Sequence, residues 1–179
     1  MTTDPRLRLG LLGGECTGKS ALAARIGAET DAHVVGEYLR TFVETSGRPP
    51  TREEQVAIFN AQRAMDRHEC PSPIHVADPA PGMTAVYSLV YFDDASLMEQ
   101  ALADARTFDL LVWCDTDIPW VPDGAQRDGP EFRDAAHAVL TERLIPLLRD
   151  EGIPVVRVSG GIDERWAAIR ERLPEAWHP

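Results

Sequence analysis

Cysteine is scarce in this chain, three residues in 179. Cys16, Cys70 and Cys114 are odd in number and show no metal-type pairing. That excludes a disulfide scaffold and predicts a reducing, cytoplasmic setting. The five histidines (His33, His68, His75, His137 and His178) show no metal spacing and no nucleophile partner either. No apolar run reaches the 18 residues that a membrane span needs. Met1 to Arg6 lacks a basic segment followed by an apolar one, so no secretion signal is expected. Positive charge is also short: 18 Lys and Arg stand against 29 Asp and Glu, a net −11. A broad nucleic-acid surface needs clustered cations, so nucleic acid is not expected as a partner. Repeats, linkers and low-complexity segments are missing. The 44% hydrophobic content supports a core, and the length fits one domain over residues 1–179.

Against these absences stands one dense motif, Gly13-Gly14-Glu15-Cys16-Thr17-Gly18-Lys19-Ser20. It has the complete G-x-x-x-x-G-K-[ST] form of a phosphate-binding loop. The run Leu7–Leu12 before it reads as a buried strand, and Ala21–Ile26 after it as a helix. Gly13 and Gly18 permit backbone angles that turn successive N–H groups inward around phosphate oxygens. The positive end of the following helix faces the same oxygens. Lys19 supplies a cation for the β- and γ-phosphates, and the Ser20 hydroxyl can ligate Mg²⁺. The whole stretch Gly13, Gly14, Glu15, Cys16, Thr17, Gly18, Lys19, Ser20 and Ala21 is therefore the expected ATP site. Nothing requires Cys16 to act chemically.

A β–α rhythm runs through the rest. Strands are expected at 33–36, 74–77, 109–114 and 153–158. Helices are expected at 37–46, from a Thr51-x-x-Glu54 capping box to about 68, at 84–91, from Asp93-Asp94 to about 106, at 130–149 and at 163–173. Alternation at this spacing predicts a three-layer α/β/α fold around a parallel sheet of about five strands. In such sheets ligands bind beyond the carboxyl ends of the strands. That rule gathers the phosphate loop, Glu37 to Arg40, Asp78, Asp115 to Trp120 and Ser159 to Gly161 on one rim.

Several rim residues carry candidate chemistry. Asp78, ending a hydrophobic strand, could hold Mg²⁺, could orient or deprotonate an acceptor hydroxyl, or could simply cap the next turn. Glu37 and Arg40 share a helical face with Tyr38 beside them, and could bind sugar hydroxyls or form a surface pair. The glycine-flanked stretch Asp123 to Arg133 carries Arg127 and Arg133, which could close over the phosphates as a lid or stand as solvated arginines. Trp120 could stack on a substrate ring or join the core.

These pieces together resemble the P-loop kinase family that includes the ribosylnicotinamide kinase domain of bifunctional NAD-biosynthesis regulators, related to small AAA-type ATPases and kinases. The phosphate loop, Gly36-Glu37-Tyr38-Leu39-Arg40, the helix with Gln55, Gln62 and Arg63, Asp109-Leu110-Leu111, and Asp117-Ile118-Pro119-Trp120-Val121-Pro122-Asp123-Gly124 carry the resemblance across nearly the whole chain. It implies a nucleoside/nucleotide-kinase-like fold with a lid, Mg-ATP as donor and a nucleoside-like hydroxyl as acceptor, nicotinamide riboside first among candidates. It implies catalytic roles for Lys19, Asp78, Arg127 and Arg133. Glu37, Tyr38, Arg40, Trp120 and Asp123 would contact the acceptor, and Ser20 with Asp78 the metal. The chain departs from the family at Asp78-Pro79, where Pro79 removes a backbone donor and stiffens the loop, and by about one residue around Arg127. No adenylyltransferase or DNA-binding segment is expected.

Two alternatives remain open at this point. A nucleoside monophosphate acceptor would need further cations, which Arg40 and Arg63 could supply. A regulatory ATPase would lack a small-molecule acceptor altogether. A GTPase is disfavoured, since no Asn-Lys-x-Asp segment occurs and no Asp-x-x-Gly follows the third strand. The sequence leaves open whether the chain is a monomer or a homodimer.

Overall fold

The computed structural model describes residues 6–121 and 129–174. Strand β1 (Leu7–Leu12) leads through the phosphate loop into α1 (Lys19–Thr30). Then come β2 (His33–Val35), α2 (Tyr38–Ser46), α3 (Gln55–Asp66), β3 (Ile74–Ala77), α4 (Gly82–Phe92) and α5 (Met98–Ala105). The chain continues with β4 (Leu110–Cys114), α6 (Pro130–Val139), α7 (Ile145–Asp150), β5 (Val155–Val158) and α8 (Ile162–Arg170). The five strands form one parallel sheet in the order β2-β3-β1-β4-β5.

Strand alternation sorts the core into two layers. Leu7, Leu9 and Leu11 of β1, with Val76 and Val112, meet Leu22 and Ile26 of α1 and Trp166 of α8. The intervening Leu12, Ala77, Leu111 and Trp113 meet Met83 of α4, Leu140 and Leu148. Helices therefore cover both faces, which is why the central strands read as continuous apolar runs. Leu9 and Leu11 are wholly buried, each burial contributing ~1.5–3 kcal/mol.

The helix boundaries that differ from expectation have local causes. The capping box forms, with the Thr51 N–H donating to Glu54 Oε2 at 2.8 Å, but it opens a short 3₁₀ turn, Arg52–Glu54, before α3. Asp93 does not start a helix. It ends α4 in a left-handed conformation, φ 50°, and its N–H donates to the Leu89 carbonyl. Asp94 then accepts from the Ser96 N–H, and α5 begins only at Met98. The expected helix 130–149 is continuous but carries a π turn at Leu140–Leu144. Pro146 explains it: the ring has no N–H and crowds the carbonyl four residues back, so the helix widens there.

Candidate active site

The phosphate loop takes the shape its glycines allow. Gly13 adopts φ 149°, and a Cβ there would stand 2.6 Å from Thr17 Oγ1 and 3.1 Å from the Cys114 carbonyl. Gly18 adopts φ 80° and caps α1 without any side-chain hydrogen bond, which leaves the first-turn N–H groups for an anion. Cys16 is also left-handed, φ 52°. The Thr17 hydroxyl and the Lys19 ammonium both donate to the Gly14 carbonyl, at 2.8 and 2.7 Å. Ser20 is exposed at the helix start.

The loop is braced from the far end of the chain. Arg165 of α8 is 2% exposed. Its guanidinium donates to the Thr17 carbonyl at 2.7 Å, to Asp117 Oδ1 at 2.5 Å and to the Gly160 carbonyl at 2.9 Å. The Gly160 N–H donates in turn to Asp117 Oδ2. The loops after β4 and β5 are thus locked to the phosphate loop through one buried cation. On the other side, the Val121 N–H donates to Cys16 Sγ at 3.3 Å.

A cleft of about 870 Å³ runs from this loop toward α2 and α4. Lys19 and Ser20 line it together with Glu37, Arg40, Asp78 and Gln55. Tyr87 and Tyr91 of α4, with Phe132 of α6, supply aromatic walls. The Tyr91 and Phe132 rings stack, with centroids 5.2 Å apart and planes 15° apart. Glu37 is held toward the cleft by its junction: the Tyr38 N–H donates to Gln62 Oε1 at 2.7 Å, and Gln62 Nε2 donates to the Gly36 carbonyl. Burial pushes the Glu37 carboxyl above its ordinary value; Lys19 and Arg40 oppose the rise and Asp78 adds to it. Burial also pushes the Tyr87 phenol well above its ordinary value, with Glu37 and Glu15 contributing. Asp78 is 7% exposed. Its N–H donates to the Val35 carbonyl, and its Oδ1 is buried without a hydrogen-bond partner among the described residues. An orphaned carboxylate oxygen and the exposed Ser20 hydroxyl on one cleft make a donor set of all-oxygen character, which fits Mg²⁺.

Other expected site residues sit elsewhere. The Tyr38 and Trp120 side chains are not among the cleft-lining residues. Trp120 stands under the Arg133 guanidinium, 5.8 Å from the ring centroid. Arg133 donates to the Ile118 carbonyl at 3.1 Å and pairs with Asp134, so it is tied to the loop after β4. Arg63 pairs with the buried Asp104 at 2.5 Å and lies away from the cleft, which removes it as a cation for an acceptor phosphate. Asp123 and Arg127 lie outside the described residues. Arg165, Gln55 and the aromatic pair on α4 were not singled out from sequence as site residues. The four-residue spacing of Tyr87 and Tyr91 was the available signal, since it places both on one helical face.

A family model described as an AAA domain matches residues 8–165. The chain belongs to this AAA-domain family. No curated protein matches it. Among solved structures, NadR protein in complex with NAD and AMP-PNP superimposes with a TM-score of 0.71 and 22% identity, over 93% of this chain and 49% of that one. Deoxyadenosine kinase from M. mycoides with bound dATP gives 0.63 and 12%, over 93% and 98%. Thymidylate kinase from Candida albicans gives 0.71 and 12%, over 96% and 92%. The chain thus spans about half the length of the NadR structure and has a P-loop kinase-type fold resembling it. Among the described residues, no helix is long and apolar enough to cross a membrane.

Proposed function

We propose that this AAA-domain protein is an ATP-dependent kinase that transfers the γ-phosphoryl group to a hydroxyl of a nucleoside-like acceptor, with nicotinamide riboside the leading candidate. The observation that carries the reading is the continuity of the cleft. The phosphate loop shares one cleft with the carboxylates Glu37 and Asp78 and with the rings of Tyr87, Tyr91 and Phe132, a polar and aromatic lining that simple ATP hydrolysis does not require. The structural likeness to NadR, also described in complex with NR, supports the choice of riboside.

Residue roles follow from position. The loop N–H groups and Lys19 hold the phosphates, Lys19 exchanging its Gly14 carbonyl for phosphate oxygens. Mg²⁺ held by Ser20 and Asp78 would neutralise charge on the β- and γ-phosphates. Asp78 orients the acceptor hydroxyl or takes its proton. Glu37 and Arg40 engage the acceptor's polar groups, and the Tyr91–Phe132 stack forms a wall beside its ring. Catalysis is then positioning plus electrostatic stabilisation. Arg40 alone of the pair Arg40 and Arg63 lines the cleft, which favours an uncharged nucleoside over a nucleoside monophosphate. Like these roles, a single domain and a cytoplasmic setting belong to the proposal.

The test is ATP-to-ADP turnover against a panel of nucleosides and ribosides, nicotinamide riboside included, beside Lys19→Ala. Fast turnover with one riboside, lost in the variant, is the expected result. Tight ATP binding with no acceptor turned over would move the reading to a regulatory ATPase.

A further inference from the structure

We propose a second, independent site: a transition-metal site for Zn²⁺-class ions built from His33, Cys70 and His75. It lies where β2 and β3 begin, at the opposite end of the sheet from the phosphate loop. The parallel register sets His33 directly opposite His75, so both side chains leave the same sheet face. Their ring centroids are 5.7 Å apart. Cys70, on the connection from α3 to β3, completes the group, and one ligand atom from each residue lies within 4.8 Å of the others.

The second observation is the state of His75. Its side chain is fully buried. Nε2 is 2.7 Å from Asp66 Oδ1, and Asp66 Oδ2 is 2.7 Å from Arg8 Nη2. Facing a carboxylate, Nε2 carries the proton, so Nδ1 presents its lone pair. That Nδ1 is buried with no hydrogen-bond partner among the described residues. A buried acceptor left empty is costly, whereas a carboxylate behind a histidine is the usual support for a metal-bound imidazole. The backbone that carries Cys70 is held as well. The Ser72 hydroxyl shares its one proton between the Asp31 and Ile74 carbonyls and accepts from the His33 N–H, and the Arg6 guanidinium donates to the Cys70 carbonyl. Metal–N distances of about 2.0–2.1 Å and metal–S of about 2.3 Å need the group to contract by roughly 1 Å, a side-chain adjustment. Two imidazoles and a thiolate select Zn²⁺ or Co²⁺ over Mg²⁺. A bound ion would clamp edge strand β2, whose continuation carries Glu37 and Arg40 to the cleft.

The test titrates Co²⁺ into reduced, metal-free, nucleotide-free protein and reads thiolate-to-cobalt charge-transfer absorption. One equivalent should bind, be displaced by Zn²⁺ and resist excess Mg²⁺, and Zn²⁺ should raise the melting temperature. Cys70→Ser should abolish the band and the melting shift. His33→Gln should weaken binding by about tenfold or more. Cys16→Ser should leave the band intact. A wild-type protein without the band, a band surviving Cys70→Ser, or one lost in Cys16→Ser would overturn the assignment. Metal-free melting curves of the variants separate ligand loss from misfolding.

Discussion

Lys19 is the only lysine in the chain. An amine-acylating acyl-phosphate derivative of ATP should therefore modify Lys19 and, among the remaining amines, only the N-terminus; ATP should protect Lys19, as peptide mass spectrometry would show. If the kinase reading holds, Lys19→Ala should lower riboside-dependent turnover by about 10²–10³-fold, the scale expected when one preorganised donor to transition-state charge is removed. Glu37 makes a different prediction. Burial raises its folded-state pKa above the ordinary 4.5, so the folded chain holds this proton more tightly than the unfolded one. Stability is then lost as pH rises from the unfolded value through the raised folded value. Glu37→Gln, which does not ionise, should melt above the wild type at neutral pH. The difference should shrink below pH 4.5, and a melting series across pH reads it. Little of this residue-level environment was legible beforehand. The motif named Lys19 through its spacing. That Glu37 is half-buried between Lys19, Arg40 and Asp78 depends on where β2 and β3 end and α1 begins in space.

At the scale of elements, α8 and α4 do work that local sequence did not announce. Arg165 on α8 belongs to no motif that would single it out, yet it is buried and joins three loops. Arg165→Met should destabilise the protein by about 2–3 kcal/mol, the worth of hydrogen bonds to a charged group together with the carbonyls left unmet. It should also raise the apparent Kd for ATP; urea denaturation and nucleotide titration check the two effects. On α4, Tyr91→Ala should raise the acceptor KM while leaving the ATP KM nearly unchanged, because its ring, stacked on Phe132, belongs to the aromatic wall proposed for the acceptor and not to the phosphate loop. Boundaries followed local chemistry where one residue dominates: Gly47 ends α2 in the left-handed region and Thr51 pairs with Glu54. They failed where two signals compete. Asp93 has the composition of an N-cap and the backbone of a C-cap, whereas the helix expected over 130–149 runs through Pro146 with only a π turn.

For the molecule as a whole, nucleotide binding should be legible in stability. ATP at 100 times its Kd should add about 2.7 kcal/mol to unfolding by mass action, and Lys19→Ala should lose most of that gain at the same ATP concentration; thermal melts with and without ATP measure it. The sequence by itself determined the layered parallel-sheet fold, because buried strands and crossover helices follow from apolar periodicity, and it determined the phosphate loop, because that site is built from contiguous residues and backbone geometry. Only the tertiary structure decided what stands around it. Tyr91 and Phe132 stack in one cleft although they stand 41 residues apart in sequence. Arg63 was drawn away by Asp104, and Trp120 by Arg133. Histidines and a cysteine with no ligand spacing in the chain came together because parallel pairing sets His33 against His75. Spacing along a chain reports contacts within a turn or a strand; it carries no information on which distant side chains the packing of layers makes neighbours.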